Sequence, residues 1–194
     1  MLRHVLEVNL LGTLFCGRHA LPHMVAQGSG SIVNIGSATQ NGLAGYAAYC
    51  ASKGGVAALT ASWSLELAAL GVRVNTVVPS ARTPQSTAGA GSAEFRTGPE
   101  WAPLGVAPLV SYLLSELSAG VTGQTFRMAR GRLTTWTLPT PAMPPVSRDV
   151  WSVAEVAAVV EELAGGFARA GLPAGDPASD FVDRAVPARP ASRT

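Results

Sequence analysis

Hydrophobic and polar positions along residues 3–131 follow two different periods. Three segments carry apolar residues at roughly helical spacing and are predicted helices: 3–26, 47–70 and 103–117. Three short runs are predicted strands: 31–37, which is rich in β-branched residues, 72–78 and 124–128. We expect Pro22 to kink or break the last turn of the first helix, and Pro79 to close the second strand. The alternation of helix and strand predicts an α/β fold with a parallel sheet.

The pattern changes near residue 132, where threonine and proline become frequent. We predict a domain over 1–131, a linker over 132–150, a C-terminal helix over 151–170 and a disordered tail over 171–194. Ser152, followed three residues later by Glu155, is a candidate capping box for the C-terminal helix. Residues 80–100 are rich in serine, threonine and glycine, which predicts a loop.

Composition and charge narrow the class of protein. Apolar residues make up 47% of the chain and charged residues 13%, which is too apolar for a disordered chain. The net charge of +2 predicts no nucleic-acid partner, and Arg127, Arg130 and Arg132 are expected to face solvent. No uninterrupted apolar run is long enough to predict a membrane span. Cys16 and Cys50 form no disulfide framework, so we expect a reducing, cytoplasmic setting.

The candidate chemistry lies around the first predicted strand and the helix that follows it. Tyr49 and Lys53 are four residues apart and share one helix face, while Ser37 closes the strand. The carboxyl ends of strands are where open α/β sheets bind ligands. A lysine ammonium favours the phenolate form of a neighbouring tyrosine, and a serine hydroxyl can bond a substrate oxygen. These residues form a plausible acid–base group, although a tyrosine and a lysine at this spacing also occur by chance in many helices.

The local sequence strengthens this interpretation. The segment Tyr49–Val56 follows Ile32–Ser37 and precedes Val72–Pro79. Together these segments resemble the second half of a short-chain dehydrogenase/reductase, over about residues 3–131. The resemblance implies a Rossmann-like parallel sheet in which Tyr49 is the acid–base residue, Lys53 holds the nicotinamide ribose and Ser37 orients the substrate carbonyl or hydroxyl. It also implies that Asn9 holds a water in a proton relay through the lysine; the plainer alternative is a polar residue that kinks the helix.

The segment after the second strand adds detail to the resemblance. Pro79, Ser80 and Thr83 match the family's cofactor-contacting pattern, but the usual glycine after the proline is missing. This variant is similar to the branch that contains 17β-hydroxysteroid and 3-hydroxyacyl-CoA dehydrogenases. The branch implies a secondary alcohol or ketone substrate, steroid-like or 3-hydroxyacyl-like. It implies NAD or NADP as cofactor, with NAD favoured, held by Tyr49, Lys53 and the three residues above. No metal is expected.

One expected feature of the family has no match in the chain. No G-x-G-x-x-G motif follows a predicted strand. We therefore expect an incomplete Rossmann-like sheet that lacks its N-terminal dinucleotide-binding half. Two hypotheses stay open: an N-terminally truncated oxidoreductase, inactive as an isolated chain, and a non-catalytic fragment or pseudoenzyme that acts as a dimerisation partner. An unpaired strand edge at 31–37 and two apolar helices predict a homo-oligomer formed through helices 3–26 and 47–70.

Overall fold

The computed structural model describes residues 2–83, 98–137 and 146–163. The chain divides into two compact units. One comprises Met1–Thr137 with Gly171–Thr194, and the other comprises Leu138–Ala170. This division falls after Thr137, and the predicted domain bounds stay a prediction. The predicted tail over 171–194 and most of the predicted loop over 80–100 lie outside the described residues.

A four-stranded sheet forms the centre of the larger unit. Its strands are β1 (Gly30–Ile35), β2 (Val72–Ser80), β3 (Thr125–Ala129) and β4 (Arg132–Trp136). They lie in the order β1-β2-β3-β4, with β1, β2 and β3 parallel and β4 antiparallel to β3. The predicted α/β, Rossmann-like parallel sheet is confirmed, and β1 lies at one edge of the sheet.

The helices connect the strands in the order that the sequence predicts. They are α1 (Leu2–Leu6), a π-helical turn (Glu7–Leu11), α2 (Gly12–Gln27), α3 (Ala47–Leu67), α4 (Ala107–Leu114) and α5 (Val153–Leu163). Short 3-10 turns lie at Ala38–Asn41, Ala68–Leu70, Pro99–Trp101, Pro103–Gly105 and Glu116–Ser118.

The helix that begins the chain continues through Pro22, contrary to the prediction. It ends at Gln27, capped by Gly28 in the left-handed region with φ of 70°. The helical turn after the proline is held by packing, because Met24 and Val25 lie against the hydrophobic core. Pro79 likewise lies inside β2, which ends one residue later at Ser80.

Two hydrophobic clusters cover the two faces of the sheet. The cluster formed with α2 and α3 contains Trp63, Leu67, Val72 and Val74. The cluster formed with α4 contains Val77, Leu109 and Leu113. Val74 and Val77 point to opposite faces because side chains alternate along a strand. At full burial, each such side chain contributes about 1.5–3 kcal/mol.

A polar network fastens α4 to the amino end of the sheet. The Arg73 guanidinium donates from Nη1 to the Leu113 carbonyl at 2.9 Å and to Ser118 Oγ at 2.7 Å, and from Nη2 to the Ser115 carbonyl at 3.1 Å. The Ser31 hydroxyl also donates to the Leu113 carbonyl, at 2.7 Å. A cation at the C-terminal carbonyls of a helix is favoured by the helix dipole.

The predicted linker over 132–150 begins with β4, which the sequence analysis missed. Its side chains are exposed except for the partly buried Trp136, so no alternation of apolar and polar residues marks it as a strand. The β3–β4 turn consists of Arg130 and Gly131, with φ of 53° and 70°, as in a tight hairpin. Arg127 is 5% exposed, with its guanidinium 5.6 Å from the centre of the Trp136 ring, so the prediction of a solvent-facing residue was wrong there.

The smaller unit contributes α5 to the described residues. Its predicted capping box is present: the Glu155 backbone N–H donates to Ser152 Oγ at 3.3 Å, and the Ser152 backbone N–H donates to the Glu155 carboxylate at 2.9 Å. The hydrogen bonds from Ser152 lower the pKa of Glu155. The rest of the predicted helix, 164–170, lies outside the described residues.

Candidate functional site

Ser37 lies just beyond the carboxyl end of β1. Pairing with β2 continues to this point, because the Gly36 N–H donates to the Val77 carbonyl at 2.8 Å. Ser37 caps the 3-10 turn Ala38–Asn41, and its Oγ accepts from the Thr39 N–H at 3.2 Å and from the Thr39 hydroxyl at 3.0 Å. Because Oγ acts as acceptor in both bonds, the Ser37 hydroxyl proton is left to donate to another group.

Tyr49 and Lys53 lie in the first turns of α3, above the same strand end. Lys53 Nζ donates to the Ile35 carbonyl at 2.8 Å and lies 5.9 Å from the centre of the Tyr49 ring. Burial lowers the pKa of Lys53. Within the described residues this is the one hydrogen bond of the ammonium, which has three protons to donate, and the Tyr49 hydroxyl makes none. Both groups therefore keep donors for a bound molecule.

Asn9 belongs to the π-helical turn rather than to a regular helix. Such turns are rare and frequently lie at functional sites. The Asn9 side-chain amide donates to Ser52 Oγ at 3.2 Å, and the Asn9 backbone carbonyl accepts from the Thr13 hydroxyl at 2.8 Å. A Cβ on Gly55 would lie 2.8 Å from the Leu10 side chain, so the turn and α3 pack closely. Asn9 thus reaches the Tyr49–Lys53 segment through Ser52.

The remaining predicted residues lie at or after the carboxyl end of β2. Pro79 and Ser80 are its last two residues and are partly buried, and Thr83 is exposed. The Arg82 backbone N–H donates to the Trp101 carbonyl at 2.7 Å, which joins the two ends of the intervening segment. Residues 84–97 of that segment lie outside the described residues.

Sequence reasoning missed two polar residues close to this site. Ser52, which is fully buried, donates to the Tyr49 carbonyl at 2.7 Å and accepts from Asn9. The Gln40 side-chain oxygen is buried with no hydrogen-bond partner among the described residues, and it lies 3.2 Å from where a Cβ on Gly36 would be. A serine three residues after Tyr49 is the one signal in the sequence, whereas nothing there predicts the burial of Gln40.

The described ranges hold neither a metal-ligating cluster nor a membrane-spanning helix. No group of three or more histidine, cysteine, aspartate or glutamate side chains there is placed to hold a metal ion. No helix in those ranges is both long and apolar enough to cross a membrane.

Comparison with known proteins shows which proteins this chain resembles. Residues 2–93 match the family model of the short chain dehydrogenases. The chain is 39% identical over 129 residues to cis-4-hydroxycyclohexanecarboxylate dehydrogenase of Sinomonas cyclohexanicum, covering 62% of this chain and 52% of that protein. The chain spans about half the length of the curated relatives it matches.

Two solved structures share the fold. A short chain dehydrogenase from Mycobacterium avium has a TM-score of 0.72 and 31% identity, covering 89% of this chain and 59% of its own. Gluconate 5-dehydrogenase from Burkholderia cenocepacia, in complex with NADP and tartrate, has a TM-score of 0.59 and 28% identity, covering 67% of this chain and 55% of its own. Residues 2–93 therefore resemble the short-chain dehydrogenase/reductase family, and the described sheet shares the fold of the two solved structures.

Proposed function

We propose that the protein is an NAD(P)-dependent oxidoreductase that interconverts a secondary alcohol and a ketone. The observation that carries the proposal is the placement of Lys53. The Ile35 carbonyl holds the Lys53 ammonium at the carboxyl end of β1, beside the ring of Tyr49. Ile35 in turn lies just before Ser37, which caps the following 3-10 turn. Donors left open at this end of a parallel sheet suit a ligand with hydroxyl and carbonyl oxygens.

The side chains fit the nicotinamide ribose of the cofactor. Lys53 has protons available for the ribose hydroxyls, and the unpartnered Tyr49 hydroxyl lies one helical turn away. The nicotinamide supplies hydride exchange with the substrate carbon when bound. Tyr49 exchanges the proton with the substrate oxygen, and Ser37 donates its free hydroxyl proton to that same oxygen. Asn9 holds a water molecule that takes part in a proton relay through Lys53.

For the cofactor we propose NAD over NADP, bound by Tyr49 and Lys53 together with Pro79, Ser80 and Thr83. Support for nicotinamide dinucleotide binding in general comes from the structural relative that holds NADP. The choice of NAD rests on the resemblance to the hydroxysteroid and hydroxyacyl branch. Equal turnover with NADP, or a preference for it, would contradict that choice.

For the substrate we propose an alicyclic secondary alcohol, at the steroid-like end of the expected range. The Sinomonas relative is named for a ring secondary alcohol, which supports this class. The missing glycine after Pro79 supports the same branch. A panel of cyclohexanols, hydroxysteroids and 3-hydroxyacyl thioesters separates this class from the hydroxyacyl alternative.

We also propose a cytoplasmic homo-oligomer. The outer side of the first helical segment exposes Val8, Leu11 and Phe15, which are three and four residues apart, and α3 exposes Leu65 at 83%. Apolar stripes of this kind are commonly covered by a second copy. Cys16, exposed and unpaired, supports a reducing compartment. Open donors at the site favour an enzyme over a purely structural dimerisation partner.

Turnover by the protein expressed from its complete coding region tests the proposal. Reduction of NAD⁺ or NADP⁺ by the alcohol panel is followed by the absorbance of the reduced nicotinamide, with the Tyr49→Phe variant as the matched control. Turnover that Tyr49→Phe abolishes supports the proposed function. No turnover with any alcohol, or turnover that the variant retains, would contradict it.

A further inference from the structure

Ser52 is a fully buried serine between the first helical segment and α3. Its hydroxyl donates to the Tyr49 carbonyl at 2.7 Å, while its oxygen accepts from the Asn9 side-chain amide at 3.2 Å. The hydroxyl therefore accepts a hydrogen bond from the first helical segment and donates one within α3. A continuous chain of hydrogen bonds runs from Asn9 to the backbone of Tyr49.

A second serine on the same helix shows that the bond within α3 is not special by itself. Ser64 is also buried, at 6% exposure, and its hydroxyl donates to the Ala61 carbonyl at 2.8 Å, the same three-residue step. No side chain from another helix donates to Ser64 among the described residues. What distinguishes Ser52 is the amide from the π-helical turn.

The π-helical turn is what brings Asn9 to this position. The turn inserts wider backbone spacing at Glu7–Leu11, and Leu10 packs where Gly55 has no side chain. The contact between the two helices is thereby fixed at the level of the first turns of α3. Because Ser52 bonds to both segments, movement of the turn is transmitted to the backbone that carries Tyr49.

We propose that Ser52 is a positioning residue that holds Tyr49 in register with Lys53 by linking the first turns of α3 to Asn9. The inference deepens the proposed function and rests on it for its catalytic meaning. Without the Ser52 hydroxyl, the Asn9 amide loses its acceptor and the Tyr49 carbonyl loses one donor, so the Tyr49 ring samples a wider range of positions beside Lys53.

Lys53 is the single lysine in the sequence, which allows a direct test on the 194-residue chain. Lysine labelled with ¹³C gives one side-chain ε-CH₂ signal, and that signal is sensitive to the ring current of Tyr49. The variants are Ser52→Ala and Asn9→Ala, with Ser64→Ala as the matched control that removes an equivalent bond. Ser52→Cys, which keeps nearly the same volume with a weak donor, replaces Ser52→Ala if the alanine variant does not fold.

We expect Ser52→Ala and Asn9→Ala to move the Lys53 signal in the same direction, towards the shift of a lysine without a neighbouring ring. The double variant matches Ser52→Ala, because both single changes break one chain of bonds. Amide exchange at Tyr49 and Lys53 becomes about fivefold faster, in line with the loss of one buried hydrogen bond. Ser64→Ala leaves the signal in place. In the turning-over enzyme, kcat falls in Ser52→Ala while KM stays unchanged.

The positioning role is overturned if Ser52→Ala moves the Lys53 signal no more than Ser64→Ala does, or if the two single variants act additively. Either result assigns Ser52 to helix stability alone. This readout needs neither substrate nor cofactor. An enzyme without turnover therefore counts against the proposed function, and an unmoved Lys53 signal counts against the role of Ser52.

Discussion

The two ends of the sheet handle their polar groups in opposite ways. At the amino end, the Arg73 guanidinium donates three hydrogen bonds and the buried Ser118 hydroxyl is bonded as well. At the carboxyl end, Lys53 makes one hydrogen bond and the Tyr49 hydroxyl makes none within the described residues. At the amino end the polar groups bond to one another and stabilise the fold. At the carboxyl end, donors remain without a partner among the described residues.

The difference separates structural polar groups from functional ones. A buried polar group that is fully bonded stabilises the protein, because its partners would be left unsatisfied without it. A partly exposed group with open donors adds little stability and is available to a ligand. Composition alone does not make this distinction, since cationic side chains lie at both ends.

The largest expected effect is a loss of turnover at the carboxyl end of the sheet, called the open end below because it keeps donors that are unbonded within the described ranges. In Tyr49→Phe, we expect turnover to fall about 10²- to 10⁴-fold, because the variant loses the hydroxyl that we propose exchanges the proton. The unfolding free energy changes by less than about 0.5 kcal/mol, since the hydroxyl makes no hydrogen bond to any residue that the structure describes. Steady-state kinetics and urea denaturation on the same preparation measure both. A large stability loss would show that the hydroxyl is structural.

The next largest effect is a loss of stability at the amino end of the sheet. Arg73→Met removes three hydrogen bonds and leaves the α4 carbonyls without their cation, so the unfolding free energy falls by about 3 kcal/mol. Denaturant unfolding measures the loss. Cofactor affinity of the folded fraction stays unchanged, because Arg73 lies at the other end of the sheet. An Arg73→Met variant whose unfolding free energy is unchanged would contradict this account of the network.

The same substitution at the open end sharpens the comparison. Lys53→Met removes a single hydrogen bond to the Ile35 carbonyl and relieves the burial of a charge, so stability changes by less than about 1 kcal/mol. Affinity for a nicotinamide nucleotide falls about tenfold, as loss of one charged hydrogen bond predicts. Isothermal calorimetry checks the affinity. A stability loss equal to that of Arg73→Met would remove the distinction between the two ends.

The smallest effect is a dependence of stability on pH. The lowered pKa of Lys53 means that the unfolded chain binds more protons than the folded protein between that pKa and the ordinary value of 10.5. Stability therefore rises with pH across this window. Relative to Lys53→Met, the unsubstituted protein gains stability from neutral pH towards pH 10.5. A parallel pH dependence of the two proteins would contradict the burial of Lys53.

The sequence predicts three of the four strands of the described sheet because their short, largely apolar runs alternate with helical segments. β1, β2 and β3 all lie within a residue or two of their predicted positions. It fails at β4, whose exposed side chains carry no hydrophobic pattern, and at Pro22, where packing of the following turn outweighs the lost backbone bond. Local propensity is outweighed in both places by contacts made elsewhere in the fold.

The sequence indicates which candidate residues lie near one another, but not how they are connected. The spacing of Tyr49 and Lys53 on one helix face, with Ser37 at a strand end, is visible in the sequence. The π-helical turn, the bond from Asn9 to Ser52 and the acceptor at Ile35 depend on how two helices cross, which no local pattern encodes. Arg127 is a similar case, since its burial beside Trp136 follows from the unpredicted hairpin.

The central claim is that the open end of the sheet binds the nicotinamide ribose through Lys53. Titration of reduced nicotinamide mononucleotide into the ¹³C-lysine-labelled chain tests it most directly, because this ligand carries only the part of the cofactor that the site is proposed to hold. The account predicts a saturable shift of the single Lys53 signal, with an affinity about tenfold weaker in Tyr49→Phe. A Lys53 signal that stays in place up to millimolar ligand would contradict it.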